Sequence, residues 1–298
     1  MEAAIGIDLG GTELRAAVVS AEGRVLAHAR TETAAMDGPD AVVGQMAALV
    51  GQIAGDHRLL GVGIGSPGPL DAAAGMVVHA PTLRGWNDVP LAQLAAERLG
   101  LPVRIDNDAN VAALAEWRFG AGRGLRHMVY VTVSTGIGGG VIVDGRLLHG
   151  RGSLAGEIGH MTITEAPIAC ACGGLGCWEA LASGSALGKR ATAMGDFGRV
   201  SARDVARLAQ AGDAMAAGLL AEEGRYLGIG FANLLHLYAP EMIVVGGGLS
   251  ESLPAMRTEI EAVMRRRAMP AYRDVPVVAA ALGQQAGVIG AALLVLPP

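Results

Sequence analysis

Three cysteines and one histidine near the middle of the chain, His160, Cys170, Cys172 and Cys177, form an H-x9-C-x-C-x4-C cluster. No other cysteine occurs, so every thiol falls in one 8-residue window. Soft thiolates and an imidazole at short spacing suit tetrahedral Zn²⁺, and four protein ligands leave no open position, which marks a structural rather than a catalytic metal. Glu157 and Glu179 flank the cluster. The expected task of the metal is to fix a loop that aims these carboxylates at a substrate.

Three glycine-bearing turns are the next candidates. Asp8-Leu9-Gly10-Gly11-Thr12 lies where one strand turns into the next, and its glycines let backbone N–H groups approach a phosphate with no Cβ in the way. An aspartate at the strand end can hold Mg²⁺ through water, since that hard cation keeps part of its hydration shell. Thr135-Gly136 and Gly246-Gly247-Gly248 also follow strands. Any one of these reads as an ordinary hairpin turn, but three together read as phosphate loops. The G-x-x-x-x-G-K-[ST] pattern is absent, and Gly136 to Gly140 opens no helix within a βαβ unit, so neither a Walker loop nor a dinucleotide fingerprint fits. A two-lobed nucleotide cleft remains.

Opposite a phosphoryl donor there must be an acceptor. Asp106-Asn107-Asp108-Ala109-Asn110 stands between a strand and a helix. An isolated Asp108 there would read as a helix cap. Facing a donor, it reads as the carboxylate that takes the proton of an acceptor hydroxyl as the bond to phosphorus forms. His160 keeps one ring nitrogen for a hydroxyl, and with Glu157 and Glu179 it suits a polyhydroxylated substrate, because a site built for hydroxyls rejects ligands lacking them.

The elements that position these groups follow from periodicity and turn residues. Ala4–Leu9, Leu14–Ser20 and Val25–Thr31 read as a β-meander. A helix is expected over 39–54, a strand at Leu60–Ile64, helices at Leu91–Leu99 and Asp108–Phe119, and a short strand at Val103–Ile105 between them. Met128–Val133 and Val141–Val143 read as strands around a loop that includes Gly138 to Gly140, followed by an Asp144-Gly145 hairpin turn. This order of strand, threonine-glycine turn and strand repeats that of residues 4–20, which suggests two related halves. Ser201-x-x-Asp204 reads as a capping box, Glu241–Val245 as a strand and Leu253–Arg267 as a helix whose terminal arginines complement its dipole.

Bulk properties set the outer bounds. With 298 residues, 51% of them apolar and only 3% aromatic, the chain can bury a substantial core of closely packed helix-on-sheet layers. A net charge of −5 gives no electrostatic footprint for nucleic acid. Lys189 is the only lysine. The first residues carry neither a basic n-region nor a long apolar run, so a cytoplasmic location is expected. Residues 275–298 are uncharged, but Pro276, Gln284, Gln285 and the glycines suggest a short strand, a loop and a helix of roughly ten residues, too short to span a membrane.

Taken in order, Asp8-Leu9-Gly10-Gly11-Thr12, Asn107-Asp108-Ala109-Asn110, Thr135 to Gly140, Gly156-Glu157-Ile158-Gly159-His160, Cys170 to Glu179 and Val245 to Gly248 resemble the ROK family, named for repressors, open reading frames and kinases. The resemblance covers almost the whole chain, and its most specific part is the cysteine segment. It implies an α/β, two-lobed ribonuclease-H-like, actin-like sugar kinase fold with a central cleft. The small N-terminal α/β domain would comprise 1–118 plus 285–298, and the large one, with the structural zinc, 119–284. It implies ATP-dependent transfer of a γ-phosphoryl group to the 6-hydroxyl of glucose. An N-acetylmannosamine or N-acetylglucosamine kinase and a broad hexokinase are the alternatives within the class. A non-catalytic sugar sensor or a repressor-branch protein are remoter ones. By resemblance Asp108 is the catalytic base. Asn107, Glu157, His160, Glu179 and Thr82 hold the sugar, and Asp8, Gly10, Gly11, Thr12, Thr135, Gly136, Gly247 and Gly248 the nucleotide. His160, Cys170, Cys172 and Cys177 hold Zn²⁺, Mg²⁺ accompanies ATP, and a homodimer or homotetramer is expected, with neither nucleic acid nor membrane as partner. Two residues depart from the family pattern: Glu13 stands where lysine is usual, and Thr82 where glucokinase-like members carry asparagine.

Overall fold

The structure is a computed structural model that describes residues 2–194 and 200–297. Its elements run β1 (Glu2–Leu9), β2 (Glu13–Ser20), β3 (Val25–Glu32), α1 (Pro39–Ile53), β4 (Arg58–Ser66), β5 (Leu70–Asp71), β6 (Met76–His79), β7 (Asn87–Val89), α2 (Leu91–Leu99), β8 (Val103–Asn107) and α3 (Asp108–Phe119). They continue with β9 (Met128–Val133), β10 (Ile137–Val143), β11 (Arg146–Leu147), α4 (Trp178–Ala182), α5 (Gly184–Ala193), α6 (Ala202–Gln210), α7 (Ala214–Tyr238), β12 (Met242–Gly246), α8 (Leu253–Arg267), β13 (Val277–Ala279) and α9 (Ala286–Leu293). By packing they form two compact units, Met1–Gly124 with Leu147–Gly156 and Leu282–Pro298, and Leu125–Arg146 with Glu157–Ala281.

In the first unit the sheet order is β3-β2-β1-β4-β8. The expected meander is present, with β2 antiparallel to both β1 and β3, while β4 and β8 run parallel to β1. The continuous apolar run of β1 is buried on both faces, as a central strand of a covered sheet requires. One face packs on α9, whose approach depends on glycines. A methyl group on Gly6 would overlap the Val288 carbonyl, one on Gly63 the Ala291 carbonyl, and one on Gly290 the Val111 carbonyl. Parallel register puts Asp8 opposite Gly65, and Gly65 opposite Asp106, so the C-terminal ends of β1, β4 and β8 come together. That edge is where open α/β sheets bind ligands.

The second unit repeats the order as β11-β10-β9-β12-β13, which bears out the two related halves read from the sequence. Helices α7 and α8 pack against each other, with a Cβ on Gly224 or Gly228 meeting α8 at 2.9 and 2.8 Å. Parallel β9 and β12 bring Thr132 opposite Gly246, again aligning strand ends.

Most elements fall within two residues of expectation, and α2, α3, β9 and α8 coincide with it. Three features differ. Gly138 to Gly140, expected as loop, are paired into β10. A side chain at Gly139 would collide with Ile158, so glycine there serves close packing rather than a turn. The short sheet β5-β6-β7 has no counterpart in the expectation. The segment Leu147–Gly156, expected with the larger domain, packs in the first unit, where Ser153 Oγ accepts the Ala72 N–H at 3.2 Å.

Candidate active site

In the first unit the strand-to-helix turn from β8 to α3 is built around Asn107. Its Oδ1 caps α3 by accepting the N–H groups of Ala109 at 2.9 Å and Asn110 at 3.4 Å. Asn107, not Asp108, is therefore the cap residue, and its NH₂ is the group it can offer a hydroxyl. Asp108 sits at the first helical position, exposed, with Oδ1 accepting the Ala109 N–H at 2.8 Å. The carboxylate that the sequence singled out thus stands exposed where β8 ends and α3 begins.

Behind it lies a group that the sequence did not single out. Asp106 is 2% exposed. Its Oδ1 accepts the Asn107 N–H at 2.7 Å and the Asn110 amide at 2.9 Å, and its Oδ2 meets His149 Nε2 at 2.7 Å. This hydrogen bond holds the His149 imidazole above its ordinary pKa, burial opposing it in part. A buried carboxylate thereby fixes the backbone that carries Asn107 and Asp108.

The Asp8-to-Thr12 turn is tied by Thr33. Its N–H donates to the Thr12 carbonyl at 2.9 Å and its hydroxyl to the Gly10 carbonyl at 2.8 Å. Gly11 leaves room for Thr82, whose Cβ would lie 2.9 Å from a Cβ at 11, so two of the expected site residues touch. The Asp8 carboxylate packs where Gly287 has no side chain. Burial pushes its pKa up, against the pull of Arg15 at 3.8 Å. Glu13, the unexpected acid, is not loose near the donor loop. Arg15 Nε donates to it at 2.6 Å and Arg30 at 3.2 Å, and the Arg15 bond chiefly holds its pKa low. Arg15 therefore stands beside both Asp8 and Glu13, one positive charge between two negative ones.

In the second unit the turn from β9 to β10 collects contacts. Glu179 Oε2 accepts the Ile137 N–H at 2.9 Å and fills the space beside Gly136. The Gly184 N–H donates to the Ser134 carbonyl at 2.7 Å, and the Leu249 N–H to Val133 at 3.1 Å. Gly247, at φ +80°, is packed against Val133 and Thr132, so Thr135, Gly136, Gly247 and Gly248 share one region of this unit. A cavity of about 830 Å³ opens beside Thr135 and Gly248.

The cysteine segment folds as a knuckle. Cys170 N–H donates to Gly174 O at 2.9 Å and Gly173 N–H to Cys170 O at 3.0 Å, with Gly173 and Gly176 at positive φ. One ligand atom from each of His160, Cys170, Cys172 and Cys177 lies within 4.8 Å of the others. Tetrahedral Zn²⁺ with bonds of about 2.3 Å to sulfur and 2.0–2.1 Å to nitrogen implies edges of about 3.8 and 3.6 Å. Cys172 and Cys177 Sγ are 3.6 Å apart, and Cys170 Sγ lies 3.7 Å from His160 Nδ1. The donor set and spacing fit such an ion. Burial pushes the Cys177 thiol up to about 12, so a cation is what would favour its thiolate. His160 Nε2 points the other way, 3.8 Å from Glu157 Oε2. Cys177 leads straight into α4, where buried Trp178 donates to Tyr226 O at 3.0 Å and precedes Glu179. The knuckle thus aims both Glu179 and His160.

The sequence model of the ROK family matches residues 4–297. The glucokinase of Halalkalibacterium halodurans is 36% identical, over 98% of this chain and 94% of its own. Among solved structures, a ROK family glucokinase from Streptomyces griseus in complex with glucose and AMPPNP superposes with a TM-score of 0.87 at 34% identity, covering 98% of this chain and 99% of that one. The ROK hexokinase of Thermus thermophilus gives a TM-score of 0.87 at 38% identity, over 98% and 97%.

Proposed function

The chain belongs to the ROK family, and from that premise we propose that it transfers the γ-phosphoryl of ATP to the 6-hydroxyl of glucose. It is an ATP-dependent sugar kinase with the actin-like ATPase fold. The observation that carries the mechanism is the β8–α3 turn. Asn107 caps α3 and Asp108 is exposed at the first helical position beside the end of β8, and its carboxylate is assigned to accept the proton of the attacking hydroxyl. Asn107, through its NH₂, and Thr82 are assigned to sugar hydroxyls in the first unit. Glu157, His160 Nε2 and Glu179 are assigned to them in the second. The Gly10-Gly11-Thr12 and Thr135-Gly136 backbones are assigned to phosphates, with Gly247 and Gly248 near the adenosine.

Mg²⁺ bound to ATP would neutralise charge on the phosphates, and Asp8, a hard oxygen donor, fits a water-mediated hold on it. Zn²⁺ held by His160 Nδ1, Cys170, Cys172 and Cys177 would supply structure alone, since four ligands close its shell. We assign the protein to the cytoplasm as a homodimer or homotetramer; no helix among the described residues is long and apolar enough to cross a membrane.

A second reading, a hexokinase of broader acceptance, is favoured by Thr82. A hydroxyl at this position, against Gly11, offers a single freely rotating donor where an amide offers two donors and a carbonyl in fixed directions, which discriminates sugar epimers less sharply. Coupled assays with ATP and a panel of glucose, mannose and the N-acetylhexosamines separate the two. Glucose preferred by an order of magnitude in kcat/KM supports the first reading, comparable values for mannose support the second, and no turnover of any hexose refutes both.

A further inference from the structure

The Leu147–Gly156 segment is a strap of the first unit in which Gly156 alone is buried. Its backbone turns at Gly150 and Gly152, with φ +64° and +59°. A segment that hides so little apolar surface has to be seated by polar contacts. Two side-chain hydrogen bonds do this: Ser153 Oγ accepts the Ala72 N–H at 3.2 Å, and His149 Nε2 lies 2.7 Å from Asp106 Oδ2. The Ala155 N–H donates back to the His149 carbonyl at 2.9 Å, closing the strap on itself behind the imidazole.

These two contacts differ in what they reach. Ala72 directly follows the short strand β5, whereas Asp106 directly precedes Asn107-Asp108. The His149 side chain is 43% exposed and that of Asp106 only 3%, so the histidine gains little from burial and the carboxylate is what it serves. Asp106 gathers donors on both oxygens. The Asn107 N–H and the Asn110 amide bind Oδ1, and Asn110 does so although its own Oδ1 is buried without a partner among the described residues. Both of these donors belong to the turn and move with it. Bonds to one oxygen leave the carboxylate plane free to swing, and the His149 donor on Oδ2 comes from outside the turn and fixes it. The same bond raises the imidazole pKa, as expected of a ring nitrogen that faces a carboxylate.

We propose that His149 is a positioning residue for phosphoryl transfer: by donating from Nε2 to Asp106 it holds the turn that presents Asn107 to a sugar hydroxyl and Asp108 to the hydroxyl that attacks. The inference rests on the kinase reading for the identity of the substrate. It requires a donor at the place of Nε2, which the imidazolium and one neutral tautomer both supply. A glutamine amide reaches that place, whereas an asparagine amide reaches only that of Nδ1.

Steady-state kinetics of His149→Ala, His149→Asn and His149→Gln test it in the full-length protein. Alanine and asparagine should lower kcat/KM for glucose about ten- to a hundredfold, the cost of a displacement of about 1 Å at the reacting groups. The loss should divide between a lower kcat, through Asp108, and a higher glucose KM, through Asn107. KM for ATP should stay within about twofold. Glutamine should recover most of the loss, although all three variants melt within about 4 °C of the wild type, so that activity does not follow stability. In an Asp106→Asn background, His149→Ala should cost nothing further, because its effect passes through that carboxylate. Undiminished kcat/KM in the alanine variant, or equal losses in all three, overturns the positioning role and keeps the kinase reading. A wild type that turns over no hexose sinks the kinase reading, and calorimetric titration of glucose then decides the inference. Affinity weakened by alanine and restored by glutamine keeps it; equal affinity in wild type and variants, or no glucose binding at all, overturns it.

Discussion

Asn107 caps α3, while Asp108, at the first helical position, is exposed and spends one carboxylate oxygen on the Ala109 N–H. Replacing Asp108 by alanine should therefore leave melting nearly unchanged, since the cap persists, while kcat falls about 10²- to 10⁴-fold. Nucleotide affinity, measured by ADP titration, should hold, and a variant with undiminished turnover would remove Asp108 from the mechanism. Behind it, the Asp106–His149 bond makes a separate prediction about pH. The folded pKa of His149 is raised, so the pair's contribution to stability is fully present below the unfolded value near 6.5 and is lost as pH rises through the folded value. NMR titration should find the His149 imidazole above the free value, and Asp106→Asn should bring it back down; an unshifted His149 in the wild type contradicts the bond. The sequence showed Asp108 because strand, carboxylate and helix are contiguous. It hid His149 because that partner lies 43 residues away in the chain, beyond any local pattern.

At the scale of elements, the glycines decide what can approach what. Those in the strand-end turns at Gly10-Gly11 and Gly136 were legible because turn glycines follow strands. Those of β10 were not, since a glycine excluded by Ile158 from across the strand looks in sequence like one required by a turn. The same is true of α9. The helix itself was legible, but not what its glycines do: Gly290 is where it backs onto Val111 of α3, and Gly6 and Gly63 admit it to the sheet. Gly290→Ala would place a methyl group inside the space of the Val111 carbonyl, and backbone cannot yield as a side-chain tip can. A loss of about 3 kcal/mol is expected, at the upper end for overpacking, read as a lowered urea midpoint with an unchanged slope. Gly44→Ala, in α1 with open space around the site, serves as the control and should stabilise by up to about 1 kcal/mol. Equal midpoints for the two variants would mean that α9 does not pack this closely.

For the molecule as a whole, the two units repeat one sheet order yet are braced differently. The first rests on α9 and a contiguous apolar core, whereas the second carries the Cys₃His knuckle. The knuckle reaches its unit's interior through Trp178, which is fully buried with its ring edge-on to Phe231 at 5.6 Å and pressed against Gly230. Treatment with a chelator should therefore loosen the second unit selectively. In a Trp86→Phe, Trp117→Phe background, where Trp178 alone emits, chelator should shift emission to the red and lower the thermal midpoint, and added Zn²⁺ should restore both. In a Trp178→Phe protein, Trp86 and Trp117 report on the first unit, and their midpoint should not move. Kinetically the effect divides by contact. His160 and Glu157 lose their orientation directly, so the sugar KM should rise about tenfold or more, the loss of one charged hydrogen bond. The nucleotide senses the loss only through the Glu179–Ile137 bond beside Thr135-Gly136, one neutral donor away, and should weaken by a few-fold at most. A chelated protein with wild-type sugar KM and an unmoved Trp178 midpoint would show that the knuckle holds its shape without an ion, and that Glu179 is aimed by the packing of α4 alone.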